Sequence, residues 1–414
     1  MMKLAIKVQC ISNINILKQL GCITTGLYNS ANYQRKLALK QNLRMPNYID
    51  QCKDFKSNKL TKLLHSQVAQ QTLNEVDRAY KSYFALKKNY PQANSPNYRK
   101  PNTPISIWFT PASFKIIDKN NIRLSIANLN INKQYIIIKI IPDSRHDITS
   151  LNVKMINFTF KHNKVYASLC LDIKEPEIKP YNNILAIDLG ICNLVAMTNI
   201  KGEESLISGR KLLSTQRYFN KKVGKLQSIK DKQNNKHSTK AIRRLKQKQA
   251  RQIKHLLHIA SKHIIKEAKF TNSCILIGDL THIRKDNNKG KKVNQKIHSW
   301  SFNTFTSLLE YKSILLGVKM IKVSERNTSR ICPQCNIKKK SNRVKRGLYK
   351  CNCGYKSNSD VNGAKNILIK YLESLDKVSS ISYDKEVVVH GVNQSTFKFD
   401  NSNLNVRRIP VALA

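Results

Sequence analysis

The chain has 414 residues, of which 74 are Lys or Arg and 25 are Asp or Glu, so its formal net charge is +49. Hydrophobic residues make up 41% of the sequence, which excludes a globally disordered chain, and the length indicates roughly two to four domains. The excess of cations indicates a polyanionic partner such as nucleic acid. Because no run of about 18 apolar residues occurs, the sequence predicts no membrane span.

The first 104 residues form a basic region, for which we predict an N-terminal strand followed by helices. Apolar side chains recur there at helical spacing, and Pro91 begins a proline-rich loop that ends the region. The helical stripe consists of Val68, Leu73, Val76, Tyr80 and Phe84. We interpret this stripe as the packing face of one amphipathic helix.

Residues 105–180 are β-rich. Short runs of apolar residues at 106–109, 122–125, 135–141, 153–160 and 165–170 are separated by turn-forming Asn and Pro. This pattern predicts a small antiparallel barrel or sheet.

Residues 181–326 change to an α/β pattern. We predict strands at 184–188, 194–198, 274–280 and 318–323, with a helix over 297–317 that joins the last two as a parallel pair. Between the second and third strands, residues 210–269 contain 19 Lys or Arg but only two acids. This imbalance predicts many contacts with the phosphates of a nucleic acid. Candidate contacts are Arg243, Arg244, Lys246, Lys248 and Arg251.

Four of the ten cysteines form two close pairs, Cys332 with Cys335 and Cys351 with Cys353. Four thiolates on two turns are typical of a structural zinc site, so we predict a zinc ribbon over residues 327–356. The other six cysteines lie singly along the chain, as in a reducing compartment. We therefore predict a cytoplasmic, nucleoid-associated protein. The absence of acidic residues before Asp50 makes an organelle the alternative.

Two carboxylates follow apolar segments. Asp188 ends a buried strand before Gly190, where α/β sheets bind ligands, and Asp360 begins a helix after the ribbon. Taken alone, Asp188 is equally explained as a turn cap, and Asp360 is better explained as a helix cap.

Together these segments resemble a known family. The sequences Ala-Ile-Asp-Leu-Gly ending at Gly190, Thr-Ser-x-x-Cys-x-x-Cys ending at Cys335, and Asp-Val-Asn-Gly-Ala-Lys-Asn-Ile beginning at Asp360 are similar to the OrfB/TnpB family of insertion-sequence proteins, relatives of the type V CRISPR effectors. The resemblance implies an α/β fold with a RuvC-like nuclease core of RNase H type. A zinc ribbon would be inserted in that core, and a wedge-like β-barrel with a helical insert would precede it. The core would cover residues 181–326 and a final helix 357–371, followed by a partly disordered tail, 372–414.

One departure from the family concerns the third acidic position. The family usually has a Glu where this chain has Gly278, which cannot bind a metal. Three interpretations follow: the nuclease is inactive, Asp279 substitutes, or another carboxylate replaces the missing one. Asp279 should face the opposite side of the strand, whereas Glu325 follows the neighbouring strand. We favour Glu325, and an exposed loop acid is its ordinary explanation.

The resemblance also implies the activity. It predicts an RNA-guided DNA endonuclease in which Asp188, Glu325 and Asp360 bind catalytic Mg²⁺, with structural Zn²⁺, a guide RNA, a double-stranded DNA target and no membrane partner. The alternatives are a nuclease-inactive, RNA-guided repressor and a plain zinc-ribbon nucleic-acid-binding protein.

Overall fold

The computed structural model describes residues 2–127, 134–142, 147–161, 164–234, 237–281, 290–345, 347–376, 394–400 and 403–408. The chain divides into two compact units, Met1–Lys174 and Glu175–Ala414. In the ranges described, no helix has both the length and the apolar character that crossing a bilayer requires.

The first unit contains a seven-stranded sheet in which all neighbouring strands are antiparallel. Its strands are β1 (Met2–Cys10), β2 (Ile107–Phe109), β3 (Phe114–Ile116), β4 (Asn121–Ser125), β5 (Tyr135–Ile141), β6 (Val153–Lys161) and β7 (Lys164–Ile173). Their order is β2-β6-β7-β1-β5-β4-β3. Because β1 lies between β7 and β5, the predicted boundary at residue 104 does not separate two compact units. The sheet predicted over 105–180 needs a strand from the N-terminus.

Four helices of the first unit lie between β1 and β2 in the chain, and side chains of the longer ones enter the same core as the sheet. They are α1 (Ile14–Lys40), α2 (Tyr48–Asp54), α3 (Lys59–Lys62) and α4 (Ser66–Asn89). Four members of the predicted stripe on α4 are buried, whereas Phe84 is 41% exposed. Arg35 of α1 forms a buried ion pair with Asp77 of α4, with 3.0 Å between Nη2 and Oδ1, and donates to Gln51.

The second unit contains another seven-stranded sheet, in the order β12-β11-β8-β9-β10-β15-β16. Its strands are β8 (Asn183–Leu189), β9 (Asn193–Asn199), β10 (Glu204–Ser208), β11 (Ser273–Asp279), β12 (Met320–Ser324), β15 (Gln394–Asp400) and β16 (Asn403–Arg408). Strands β8, β9 and β10 form an antiparallel meander, and β11 and β12 run parallel to β8. The four predicted strands of this region are present within one or two residues of their predicted ends.

The second unit also contains five helices among its described residues. They are α5 (Arg210–Lys232), α6 (Lys240–Phe270), α7 (Lys291–Ser299), α8 (Phe302–Leu316) and α9 (Ser359–Asp376). Helices α6 and α8 cover one face of the sheet, and α9 covers the other. Ile187 and Ile277 face one core with side chains of α6 and α8, whereas Ala186 and Leu276 face another with side chains of α9. This alternation follows from the two-residue period of a strand.

Two predictions for this unit need correction. The helix predicted over 297–317 is broken at Trp300, whose backbone is extended (φ −78°, ψ 137°) and whose ring stacks on Phe302 at 3.7 Å between centroids. The final helix runs to Asp376, beyond the predicted residue 371, and part of the predicted tail forms β15 and β16. Both strands depend on pairing with β10 and with each other.

Candidate metal centres

The four clustered cysteines converge on one point. Their Sγ atoms all lie within 4.8 Å of one another, with 3.6 Å between Cys332 and Cys353 and 3.5 Å between Cys335 and Cys351. Tetrahedral Zn²⁺ with Zn–S bonds of about 2.3 Å requires sulfurs about 3.8 Å apart, so the donor set fits this ion. The backbone N–H of Cys353 lowers the pKa of the Cys351 thiol to about 7, which favours the thiolate that binds metal.

A short hairpin accounts for the unusual one-residue spacing of the second cysteine pair. Strands β13 (Tyr349–Lys350) and β14 (Lys356–Ser357) pair on either side of it, and the amide of Cys351 donates to the carbonyl of Tyr355 at 2.8 Å. The turn needs a left-handed backbone at Gly354 (φ +91°), which glycine adopts without strain. The hairpin therefore turns both thiols toward the first pair.

Asp188 and Gly278 lie side by side on neighbouring strands. The parallel register pairs Ile187 with Ile277, so the next residues, Asp188 and Gly278, are adjacent. The register with β12 pairs Gly278 with Val323, whose side chain lies in the α9 core with Ala186. A residue two positions further along a strand faces the same side of the sheet. Asp188, position 278 and position 325 each lie two residues beyond a side chain of the α9 core, so all three share that face.

The side chain of Glu325 fills the space that a side chain at position 278 would occupy. An ideal Cβ built on Gly278 would overlap the carboxylate and the Cγ of Glu325. The missing side chain on β11 and the glutamate after β12 are thus geometrically complementary. Glu325 lies where the sequence argument expected it, and its role as a metal ligand remains a prediction.

Asp279 lies on the opposite face from this site. It has the same strand parity as Ile275 and Ile277, which face α6 and α8. Its side chain is exposed and accepts hydrogen bonds from the amide and the hydroxyl of Thr281. The geometry therefore gives Asp279 the role of capping the turn after β11.

Asp360 lies in the first turn of α9 and is held from two directions. Its Oδ2 accepts from Asn193 Nδ2 at 2.9 Å, and its Oδ1 pairs with Arg343 Nη2 at 3.2 Å. One turn further along α9, an ideal Cβ built on Gly363 would overlap the carboxylate of Asp188. Glycine at this position lets the helix approach Asp188 closely.

The electrostatics of the carboxylates favour a bound cation. Burial, and then the negative charge of Asp360, raises the pKa of Asp188 to about 7, although Arg343 opposes the shift. Burial, and then the charge of Asp188, raises the pKa of Glu325 to about 8. The Oε1 atom of Glu325 is buried and has no hydrogen-bond partner among the described residues. Crowded carboxylates with an unpartnered oxygen are the donor set that Mg²⁺ prefers.

Comparison with known proteins finds similarity along most of the chain. Residues 168–281 match the family model of a probable transposase, OrfB_IS605, and residues 302–367 match the Cas12f1-like TNB domain. The chain is 25% identical over 393 residues to the TnpB-like protein ORF457 of Acidianus two-tailed virus, covering 86% of this chain and 83% of that one. It is 24% identical over 340 residues to the putative RNA-guided DNA endonuclease InsQ of Escherichia coli K12, covering 78% and 79%. The chain is therefore similar to proteins of the OrfB/TnpB family along most of its length.

A solved structure shares the fold of the chain. The Cas12f1 chain in a cryo-EM complex with sgRNA and target DNA superposes with a TM-score of 0.59 at 17% identity, covering 85% of this chain and 82% of that chain. At this identity the likeness concerns the fold alone.

The chain exposes the basic residues that the sequence analysis names as candidate nucleic-acid contacts. Helices α5 and α6 pack against each other, and Gln249 of α6 donates to Asn220 of α5 at 3.1 Å. The exposed side chains include Arg243, Arg244, Lys246, Lys248 and Arg251. Their exposure leaves them available to phosphates, and nucleic-acid binding by them remains a prediction.

Sequence reasoning missed two residues that contact Asp360. Asn193 lies on β9 and Arg343 lies in the loop between the cysteine pairs, and neither belongs to a motif that indicates the contact. Gly363 was within the recognised Asp-Val-Asn-Gly-Ala segment, but its close approach to Asp188 could be known only from the packing of α9.

Proposed function

We propose that this chain is an RNA-guided, metal-dependent DNA endonuclease associated with an insertion sequence, with a RuvC-like core of RNase H type and an inserted zinc ribbon. The observation that carries the proposal is the position of Glu325 beside Gly278. Glu325 fills the place of the missing side chain at Gly278, on the same face as Asp188. A chain without need of a third carboxylate would have no reason to pack a buried, unpartnered Glu325 there.

Each of the three proposed ligands is held by a different element of the second unit. Asp188 is fixed by β8, Asp360 by the first turn of α9, and Glu325 by the segment that follows β12. These three carboxylates would hold the catalytic Mg²⁺, which would supply Lewis-acid chemistry for phosphodiester hydrolysis. Asn193 fixes the orientation of the Asp360 carboxylate by donating a hydrogen bond to its Oδ2.

The proposed partners are a guide RNA and a double-stranded DNA target. InsQ is named as a putative RNA-guided DNA endonuclease, and the related Cas12f1 was solved with sgRNA and target DNA. The net charge of +49 and the exposed basic residues of α6 support a polyanionic partner. If base pairing with a guide selects the target, the protein itself needs few base-specific contacts.

The test begins with the RNA that copurifies with the full chain. That RNA is sequenced, and DNA duplexes matching its variable end are placed beside a randomised flanking library. Cleavage with Mg²⁺ is then compared among the unaltered chain, Glu325→Ala and Asp279→Ala. We expect Glu325→Ala to abolish cleavage while target binding persists, because phosphate contacts dominate affinity. Asp279→Ala is the matched control and should cut normally.

The same experiment separates the alternatives. Cleavage that survives Glu325→Ala but is lost in Asp279→Ala would make Asp279 the third ligand. An unaltered chain that binds its matched target without cutting would be a guided repressor. A preparation without RNA and without cleavage would be a plain zinc-ribbon nucleic-acid-binding protein.

A further inference from the structure

One row of side chains on α9 contacts the segment that carries Glu325. Asn362, Asn366 and Lys370 are spaced four residues apart, so they follow one side of the helix. All three donate hydrogen bonds to backbone carbonyls between Ser324 and Ile331. The same helix provides Asp360 at its start.

The two asparagines hold the far end of this segment. Asn366 Nδ2 donates to the carbonyls of Thr328 and Ile331, at 2.8 Å in each case. Asn362 Nδ2 donates to the same carbonyls at 3.3 and 3.2 Å. Both asparagines are almost fully buried, with exposed fractions of 0% for Asn362 and 3% for Asn366. Buried amides with four donor contacts between them fix the path of the chain before the first zinc-site cysteine.

Lys370 and Thr328 hold the residues immediately around Glu325. Lys370 Nζ donates to the carbonyl of Ser324 at 3.3 Å and also to the carbonyl of Arg326. The hydroxyl of Thr328 donates to the carbonyl of Glu325 itself at 2.9 Å, and its amide donates to the same oxygen at 3.2 Å. The peptide groups before, at and after Glu325 are therefore each tied to another group.

A glutamate at position 325 needs such ties, whereas one at position 278 would not. Position 278 lies within β11, where the ladder to β12 includes Gly278 itself and the ladder to β8 extends to the preceding residue, Ile277. Strand β12 ends at Ser324, so Glu325 lies outside the ladder. A metal ligand has to be held to within a fraction of an ångström, and a residue in a turn is not held so well by its own backbone.

We propose that Lys370 and Asn366 are positioning residues for Glu325, and that this row on α9 replaces the strand ladder that would fix a glutamate at position 278. The inference rests on the proposed metal site. It predicts that loss of the row weakens divalent cation binding specifically through Glu325. It also assigns a role to the second half of the helical segment whose first residue, Asp360, is a proposed metal ligand.

The experiment measures binding of Mn²⁺ to the full, zinc-loaded chain by electron paramagnetic resonance, without nucleic acid or cleavage. Lys370→Met and Asn366→Leu are compared with Lys350→Met, a lysine on β13 in the ribbon. We expect about tenfold weaker Mn²⁺ binding for the first two, because each removes hydrogen bonds near the ligand, and no change for the control. Lys370→Arg should restore most of the affinity. Zinc content, measured on the same samples, should stay unchanged.

A second background tests whether the effect passes through Glu325. In the chain with Gly278→Glu and Glu325→Ala, the carboxylate is moved into β11, and Lys370→Met should then change Mn²⁺ affinity less than twofold. An equal loss in both backgrounds, or no loss in either, would overturn the inference. Hydrogen exchange gives an independent measurement: Lys370→Met should speed exchange in residues 324–331 without speeding it in β8.

These outcomes separate the two proposals. If the unaltered chain binds no Mn²⁺ beyond its zinc site, the proposed metal site itself is wrong. If the unaltered chain binds Mn²⁺ and Lys370→Met binds it equally well, the metal site stands and only the positioning role is wrong.

Discussion

Replacement of Glu325 by Gln should stabilise the protein when divalent cations other than zinc are absent. Burial and the neighbouring charge of Asp188 raise the pKa of Glu325 from 4.5 to about 8. In the folded protein this carboxyl therefore keeps its proton at pH 7, whereas in the unfolded chain it loses the proton. Glutamine has nearly the same shape and carries no charge in either state, so it avoids this penalty.

The size of this stabilisation and its pH dependence follow from the raised pKa of Glu325. A pKa raised by folding favours the folded state below the unfolded pKa, and this advantage disappears as the pH rises toward the folded value. At pH 7, about 2.5 units above 4.5, the free energy of unfolding should be lower with Glu325 than with Gln by about 3 kcal/mol at most. This difference should fall below about 1 kcal/mol at pH 5 and grow until about pH 8. For a unit of this size, 3 kcal/mol corresponds to a melting temperature higher by several degrees.

The assay is thermal unfolding from pH 5 to pH 8 in buffer freed of cations by chelating resin, after zinc loading. Glu373→Gln, an acid-to-amide change elsewhere on the same helix as Asp360, serves as the control. Adding Mg²⁺ should reverse the order, because the cation stabilises only the chain with the complete carboxylate set. A Glu325→Gln variant that melts at or below the unaltered chain at pH 7 would show that the carboxylate is not held under this electrostatic penalty.

Three further predictions concern other parts of the molecule. Cys351→Ser should reduce zinc from one ion per chain to well below one and unfold the ribbon hairpin, as measured by elemental analysis and hydrogen exchange; full zinc occupancy would contradict the four-thiolate site. Neutralising the five exposed basic residues of α6 should reduce the slope of log affinity against log salt by up to about 4.5 on duplex DNA; an unchanged slope would remove this helix from the interface. Asp77→Ala should destabilise the first unit by about 3 kcal/mol in denaturant titrations, because it leaves the buried Arg35 unpaired. Lys81→Met should cost much less, because Lys81 is an exposed partner of the same carboxylate.

The part of the site that could be predicted from sequence is the part encoded in strand alternation. The two-residue period places Asp188 and position 278 on one face and Asp279 on the other, and the structure has this arrangement. The strand before Glu325 could be placed beside β11 because a helix joins them, and β12 does pair with β11 in parallel. The four cysteines were recognisable from their spacing, which a tetrahedral ion requires.

The rest depended on contacts between residues far apart in the chain. The ion pair of Arg343 with Asp360 joins a ribbon loop to a helix start, and no local pattern indicates it. The insertion of β1 between β7 and β5 could not be derived from its alternation, which predicts a strand but not its neighbours. The break before α8 arises from the packing of Trp300 on Phe302, whereas helical periodicity continues through it. Strands β15 and β16 follow a weakly patterned stretch and are specified by pairing with β10.

The C-terminal hairpin of β15 and β16 has a consequence for solubility. Without it, β10 would be an open edge whose unpaired amides and carbonyls could recruit a strand from another molecule. The other edge of the sheet is protected differently, because β12 is short and carries Lys322, which pairs with Glu310 at 2.7 Å. Removing residues beyond Asp376 would therefore leave the carboxylate site intact and still produce a protein that tends to aggregate through β10. A version of the protein shortened at Asp376 would need a charged or proline-containing replacement at that edge.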